Sequence, residues 1–281
     1  LRPLTSNQPK PLMPVANRPI MEHMVELLRR HGFSDLVVTL QFLPTLIADF
    51  FGDGSAWDMN IGYIIEESPL GTAGSVKNAK SLLDGTFLVV SGDVLTDIDL
   101  NRSRGALVTL ILKKVSNPLE FGLVITDSEG RITRFLEKPG WGEVFTDTIN
   151  TGIYVIEPEV LDYIPADRSY DFSRDLFPVL LEKRLPMYGY TAEGYWCDIG
   201  NLEQYLAVHR DILDAKVNTG IPGHRLENGI WMGDGVDLDD TVQLSGPLLL
   251  GNHVRVEGKT KLREYSVLGN NVVVKRDNFV H

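Results

Sequence analysis

With 281 residues, 43% of them hydrophobic and 23% charged, the chain has the make-up of a globular protein with room for one large domain or two ordinary ones. Its net charge of −11 excludes a broad nucleic-acid surface, which needs clustered Lys and Arg, but leaves room for a small anionic substrate gripped by a few cations. Cys197 is the only cysteine, so no intrachain disulfide can form; no apolar run nears the ~18 to 20 residues of a membrane span, and the opening LRPLTSNQPKPLMPV does not read as a signal peptide, so a cytoplasmic protein away from membranes is expected.

Residues 1–215 alternate helix-like and strand-like segments. Ile20 to His31 carries Met21, Met24, Val25 and Leu28 on one stripe with charges opposite, which predicts a helix. A strand follows at 36–40, a helix from Pro44 to Phe51, a strand at IGYIIEE and a helix after Gly74 through Leu83. FLVVSGD (87–93), a near-continuous apolar run closed by a polar turn, reads as a buried parallel strand. Residues 106–115 form another strand, Gly122 to Leu136 a hairpin turning at Asp127–Gly130, and TGIYVIEP a further strand. Such alternation predicts an α/β, doubly wound, mostly parallel sheet with ligands at the carboxyl ends of its strands. That fold should open with a strand, and only 13 residues lie between Gly92 and Ala106, too few for a helical crossover. Further chain is therefore expected before Leu1 and near Leu100–Asn101.

From residue 226 the period changes. Met232, Leu238, Leu244, Leu250, Val256, Leu262, Leu268, Val274 and Val280 recur every six residues, with small or β-branched residues four places on. A strict hexad reads as a parallel β-helix whose apolar residues point inward, and an antiparallel meander does not generate that regularity. The division expected is 1–217 and 226–281. Coils that stop in full register at His281 are expected to continue into more chain or to pack on another subunit as a homo-oligomer.

Taken one by one, the polar candidates stay open. Asp93 and Asp198 each end an apolar run and can hold a metal or cap a turn. Lys10, in QPKPLMPV, and Lys138, in FLEKPGW, can bind an anion or lie solvated at the surface. Gly71, Thr72, Ala73 and Gly74 can present backbone N–H groups or merely form a turn. His209-Arg210-Asp211 lacks a kinase context, the six histidines make no metal spacing with Cys197, the acidic run 234–240 lacks the closing Glu of a calcium loop, and no nucleophile elbow is present.

Taken in order, LRPLTSNQPKPLMPVANRPIMEH (1–23), EESPLGTAG (66–74), VVSGDVLTD (89–97), EFGLV (120–124), FLEKP (135–139), NTGIYV (150–155) and GYWCDIG (194–200) closely resemble the sugar-1-phosphate nucleotidyltransferases, above all the mannose-1-phosphate guanylyltransferases. The resemblance spans residues 1–215, and the hexads match the left-handed β-helix these enzymes often append. It implies a Rossmann-like nucleotidyltransferase fold and a reaction of a nucleoside triphosphate, GTP favoured, with a sugar 1-phosphate, mannose favoured. Position by position it implies Lys10 neutralising phosphate, Gly71 and Thr72 at the nucleotide, Asp93 and Asp198 on Mg²⁺, Gly122, Glu137, Asn150 and Thr151 at the sugar, and Lys138 on the sugar phosphate. The family's GGxGTR phosphate loop would lie immediately before Leu1. Attack of one anion on another needs charge cancellation and alignment, which two carboxylates with Mg²⁺ supply without a protein nucleophile. Three rival readings remain: glucose 1-phosphate with UTP, dTTP or ATP; a non-catalytic regulatory homologue that binds nucleotide-sugar; and a hexapeptide acyltransferase using His253.

Overall fold

The structure, a computed structural model, describes residues 1–101, 106–137, 140–166 and 168–280. In chain order its main elements are α1 (Ile20–Arg30), β1 (Asp35–Leu40), α2 (Pro44–Phe51), β2 (Asn60–Ile65), α3 (Gly71–Asn78), β3 (Phe87–Val89), β4 (Val94–Thr96), β5 (Val108–Lys114), β6 (Gly122–Thr126), β7 (Ile132–Glu137), β8 (Thr148–Ile156), α4 (Phe177–Glu182), β9 (Met187–Thr191), β10 (Trp196–Asp198) and α5 (Leu202–Leu213). Nine strands of two or three residues follow between Ile230 and Val280. None of the described helices is long and apolar enough to cross a membrane. The chain divides into two compact units: Leu1–Leu27, Gly92–Asp97 and Tyr195–His281 form one, Leu28–Ser91 and Ile98–Gly194 the other.

The second unit is built on a sheet of order β9-β5-β8-β6-β7, with β3 also pairing β8. Here the mostly parallel sheet expected from the sequence is corrected: β9·β5 is parallel, while β5·β8, β8·β6, β6·β7 and β3·β8 are antiparallel. The reason lies in the connections. β6 and β7 are joined by the tight Asp127–Gly130 turn, and only antiparallel neighbours can be linked so briefly. The FLVVSGD segment is corrected with it: three residues pair, against Tyr154–Ile156, and they are half-buried rather than enclosed. β1 and β2 form a separate parallel pair joined through α2, as a helical crossover allows.

One face of that sheet closes on Phe172, Leu176, Phe177 and Leu180 from α4 and the turn before it. Tyr154 meets Phe177 edge-on at 5.1 Å, and Phe135 meets the same ring at 5.6 Å. Fully burying each such side chain is worth roughly 1.5–3 kcal/mol, and the ring geometry fixes where Tyr154 points.

In the first unit, β4 and β10 pair antiparallel, with Asp198 opposite Val94. Between Ile230 and Val280 each strand pairs in parallel with the strand eighteen residues on, giving three separate sheets: Ile230↔Leu248 with Leu249↔Val267, Asp237↔Arg255↔Val273, and Gln243↔Lys261↔Phe279. His253, Lys259, Tyr265, Asn271 and Asp277, every sixth residue, have φ between 55° and 65° and turn the chain from one sheet to the next. Leu250, Val256 and Leu262 are buried inside, as the hexad period requires.

Candidate functional site

Lys10 begins a short 3-10 turn, Lys10–Leu12, entered from Pro9 and closed by the Met13 N–H donating to Lys10 O at 3.0 Å. Leu12 and Met13 are buried and anchor that turn, which leaves the Lys10 side chain a quarter exposed. Its Nζ donates to Asp93 Oδ2 at 2.6 Å and lies 3.8 Å from Asp198 Oδ1. Asp93 precedes β4 and Asp198 ends β10, so the antiparallel register brings the two carboxylates to the same end of one ladder. The Ile199 N–H donates to Asp93 O at 3.4 Å across that end. The structure thus gathers Lys10, Asp93 and Asp198, which are far apart in sequence, into one charged cluster.

Asp97, which the sequence reading passed over, secures this ladder. Its carboxylate accepts from the N–H groups of Tyr195 at 2.6 Å and Asn218 at 2.8 Å, fixing the entry to β10. Beyond Asp198, Asn201 caps α5 by accepting from Gln204 N–H at 2.9 Å, while Gln204 Oε1 accepts from the Gly200 N–H at 2.8 Å. Burial raises the Cys197 thiol to about 11, with the Asp198 charge adding to the effect, so it stays protonated and unreactive at neutral pH.

The remaining predicted residues lie in the other unit. Gly71 opens α3 with φ 71°, and a Cβ there would sit 2.7 Å from Tyr170 O, so only glycine fits. Tyr170 O accepts from the Ala73 and Gly74 N–H groups at 2.9 and 3.0 Å, satisfying two donors of that helix end. Thr72 Oγ1 donates to Asp171 Oδ2 at 2.8 Å and accepts from Phe172 N–H at 3.0 Å. Asp171 also accepts from Ser173 and Arg174 N–H groups, and the Asp171 N–H donates to Asp175. The D-F-S-R-D spacing was the available sign of that cap.

Gly122 and Glu137 are register partners across the β6–β7 hairpin, and a Cβ on Gly122 would meet Glu137 Oε2 at 2.7 Å. The glycine therefore makes the space in which the Glu137 carboxylate lies. Asn150, 8% exposed, donates through Nδ2 to Tyr154 Oη at 2.9 Å and Ser173 Oγ at 3.1 Å, and its Oδ1 accepts from Gly152 N–H at 3.1 Å. Thr151 Oγ1 donates to Ile111 O at 2.6 Å, inside the bulge that shifts the β8·β5 register between Asn150 and Ile153. Tyr154 titrates only near 12, because burial opposes its ionisation, so it serves Asn150 as a neutral hydroxyl. Lys138 falls outside the described residues.

Residues 1–215 match the family model described as nucleotidyl transferase. The chain is 37% identical over 291 residues to a UTP–glucose-1-phosphate uridylyltransferase of Synechocystis, covering 96% of this chain and 75% of that one. It is 36% identical over 271 residues to a mannose-1-phosphate guanylyltransferase of Mycobacterium tuberculosis, covering 93% and 74%. Among solved structures, HddC from Yersinia pseudotuberculosis complexed with GMP-PN superposes with a TM-score of 0.65 at 22% identity, over 75% of this chain and 93% of that one; the two share a Rossmann-like nucleotidyltransferase fold.

Proposed function

The chain belongs to the nucleotidyl transferase family, and we propose that it joins a nucleoside triphosphate to a sugar 1-phosphate, releasing pyrophosphate. The observation that carries this reading is the cluster of one ammonium and two carboxylates at the Lys10 turn. Both reactants are anions, so a site for them must offer cations where phosphate charge concentrates. In this reading Lys10 neutralises phosphate near the reaction centre. Asp93 and Asp198 would hold Mg²⁺, since carboxylate oxygens are the hard donors that ion takes. Bound there, Mg²⁺ supplies charge neutralisation and alignment of the phosphates.

The sugar side of the proposal rests on Glu137 beside Gly122 and on Lys138 for the sugar phosphate; the nucleotide side rests on the backbone of Gly71 and Thr72. Asn150 and Thr151 belong to the sugar side through the shape of β8, since both amide hydrogens of Asn150 and the Thr151 hydroxyl proton are already committed. For the substrate pair we propose mannose 1-phosphate with GTP; the 37% likeness to a uridylyltransferase supports glucose 1-phosphate with UTP as the second reading. We read residues 1–217 as the catalytic part and 226–281 as a parallel β-helix, which the eighteen-residue pairing and six-residue φ pattern support, and its left hand rests on the family resemblance alone. Assembly into a homo-oligomer through that part completes the proposal, and a monodisperse monomer in sedimentation would remove it. The deciding assay is pyrophosphate release across a panel of triphosphates and sugar 1-phosphates with Mg²⁺. Turnover in at least one pairing is expected; none in any pairing would make the chain a nucleotide-sugar-binding homologue without catalysis.

A further inference from the structure

We propose that the hexad region is a working part of the Lys10 site, and that Asn17 is the positioning residue through which it holds Lys10 against Asp93 and Asp198. This rests on the reading that Lys10 serves the phosphates. The first observation is an asymmetry among outward-facing hexad residues. Two of the three parallel sheets carry Asp237, Arg255 and Val273, or Gln243, Lys261 and Phe279, on their outer rows, and all six residues are exposed. The third carries Trp231, Leu249 and Val267. Leu249 is fully buried in one cluster with Val15, Ala16, Leu95 and Ile199, and Trp231 and Val267 pack against it. Leu95 and Ile199 flank Asp93 and Asp198 in the chain, so the covered face lies against the ladder that carries both carboxylates.

The second observation is a tether. Residues Pro14–Val15 and Arg18–Pro19 pair antiparallel, with Ala16 and Asn17 as the two turn residues, both at positive φ (47° and 63°). Asn tolerates that conformation; Ala does not take it without strain, and Ala16 is held in it by complete burial. Asn17 Nδ2 donates to Leu268 O at 2.8 Å, fastening the tip of the turn to the hexad strand Val267–Leu268.

The link from that tip back to Lys10 is short and stiff. Pro11 and Pro14 fix φ within KPLMP, and the Met13 N–H bond to Lys10 O and the Ile20 N–H bond to Met13 O, each 3.0 Å, close the two ends. A shift of the Asn17 turn is therefore passed to Lys10 rather than absorbed by loose chain. Tyr205 Oη on Pro14 O at 2.5 Å and His23 Nε2 on Val15 O at 2.9 Å hold the hairpin from other sides, so losing the tether loosens Lys10 without releasing it.

Two substitutions in the full chain separate the tether from the backbone strain. Asn17→Gly keeps the positive φ and removes the donor; Asn17→Asp keeps the size and sets a carboxylate against a carbonyl oxygen. Acylation of individual lysines by N-acetoxysuccinimide, read by peptide mass spectrometry, reports how firmly Lys10 is held and needs no turnover. Both variants should acylate Lys10 about threefold to tenfold faster, the scale of one lost hydrogen bond, while the exposed Lys216 and Lys275 keep their rates. An unchanged Lys10 rate overturns the proposal, and so does an equal rise at every lysine, which would show general loosening. Turnover adds a second arm: Asn17→Gly should lower kcat by a similar factor, and by almost nothing in a Lys10→Ala background. Additive losses would overturn the proposal. Should the parent turn over no pair, the proposed reaction fails, while the acylation arm still decides whether the hexads position Lys10.

Discussion

The Lys10–Asp93–Asp198 group and the Gly122–Glu137–Asn150–Thr151 group are both proposed to serve substrate, yet they are built in opposite ways. In the first the side chains are a quarter to two-fifths exposed, and the Lys10 ammonium faces both carboxylates. In the second, Asn150 and Thr151 are buried, and their hydrogens go to Tyr154, Ser173 and the Ile111 carbonyl. A charge left near solvent adds little to stability but can meet an anion. A buried amide with every partner made stabilises the frame and has little left to offer a ligand. The first group should therefore fail in rate when altered, and the second in stability.

The largest effect is expected at the carboxylates. On the proposed reading, Asp93→Asn and Asp198→Asn would each remove a charged metal ligand, which should cost several kcal/mol of transition-state stabilisation, on the order of a thousandfold in turnover. Thermal unfolding should move little, because neither residue fills core volume. Turnover measured against Mg²⁺ concentration decides it: a variant that keeps near-parental turnover at low Mg²⁺ makes that aspartate a turn cap and dissolves the contrast.

His23 shows that burial, not membership of a unit, decides which behaviour follows. It shares the unit of the charged cluster but is 3% exposed, with Nε2 on Val15 O and Nδ1 on Thr219 Oγ1. A carbonyl can only accept, so Nε2 carries the proton and Nδ1 takes the threonine hydroxyl. Burial, aided by the charges of Arg18 and His209 and opposed by the Val15 bond, lowers its pKa to about 4. The unfolded chain binds a proton below the ordinary value of 6.5, whereas the folded chain does not until about 4. Stability present above pH 6.5 is thus lost as pH falls through that window, by up to about 3 kcal/mol. Denaturant unfolding of His23→Gln should lack this component; identical pH curves for parent and variant would count against it. Asn150→Ala should next cost about 2 kcal/mol of stability, by stranding the Gly152 N–H and leaving Tyr154 Oη with Ser173 alone, with turnover per folded molecule nearly kept. A normal melting curve with lost turnover would make Asn150 a direct substrate contact instead.

Much of this was legible in the sequence, and the gaps have physical causes. α1 and α2 follow from their apolar stripes, and the inward hexad residues from their period. α3 begins at Gly71 rather than after Gly74, because Tyr170 O, a hundred residues away, accepts from the Ala73 and Gly74 N–H groups and nucleates the first turn. No local pattern announces such a cap. The direction of β3 was misread because an apolar run reports burial, and burial does not say which way the neighbouring strand runs. The hexad period marked the inward residues well, and the covered outer face had its own sign: Trp231, Leu249 and Val267, spaced by eighteen, are apolar at all three places, where the other outer rows begin with polar residues and end in an exposed Val273 or Phe279. For the candidate site, motif order named the residues, while only the fold could bring Lys10, Asp93 and Asp198 within one charged contact.

The smallest effect, and the sharpest test of the contrast, is expected at Glu137, whose character falls between the two groups. It lies on β7, a strand of the frame, yet it is a half-buried carboxylate laid over the bare backbone of Gly122. If it accepts from sugar hydroxyls, Glu137→Ala removes a charged hydrogen bond worth roughly 1.5–3 kcal/mol when fully dry, and partial exposure brings the loss to the lower end, about tenfold in kcat/KM. That loss should fall on the sugar 1-phosphate, leaving KM for the triphosphate within about twofold of the parent, because a removed contact penalises only the partner it touched. Glu137→Gln should recover part of the loss, since its amide oxygen still accepts. The Gly122 backbone supplies an internal control. Gly122→Ala would push the carboxylate aside without removing it, because the new Cβ would fall 2.7 Å from Oε2; it would also press on the Phe135 ring at 2.8 Å, a cost that a melting curve reads separately. Per folded molecule it should therefore imitate Glu137→Ala for the sugar and add nothing to that loss in the double variant. Equal losses for both substrates, or additive losses for Gly122 and Glu137, would put Glu137 with Asn150 as part of the frame.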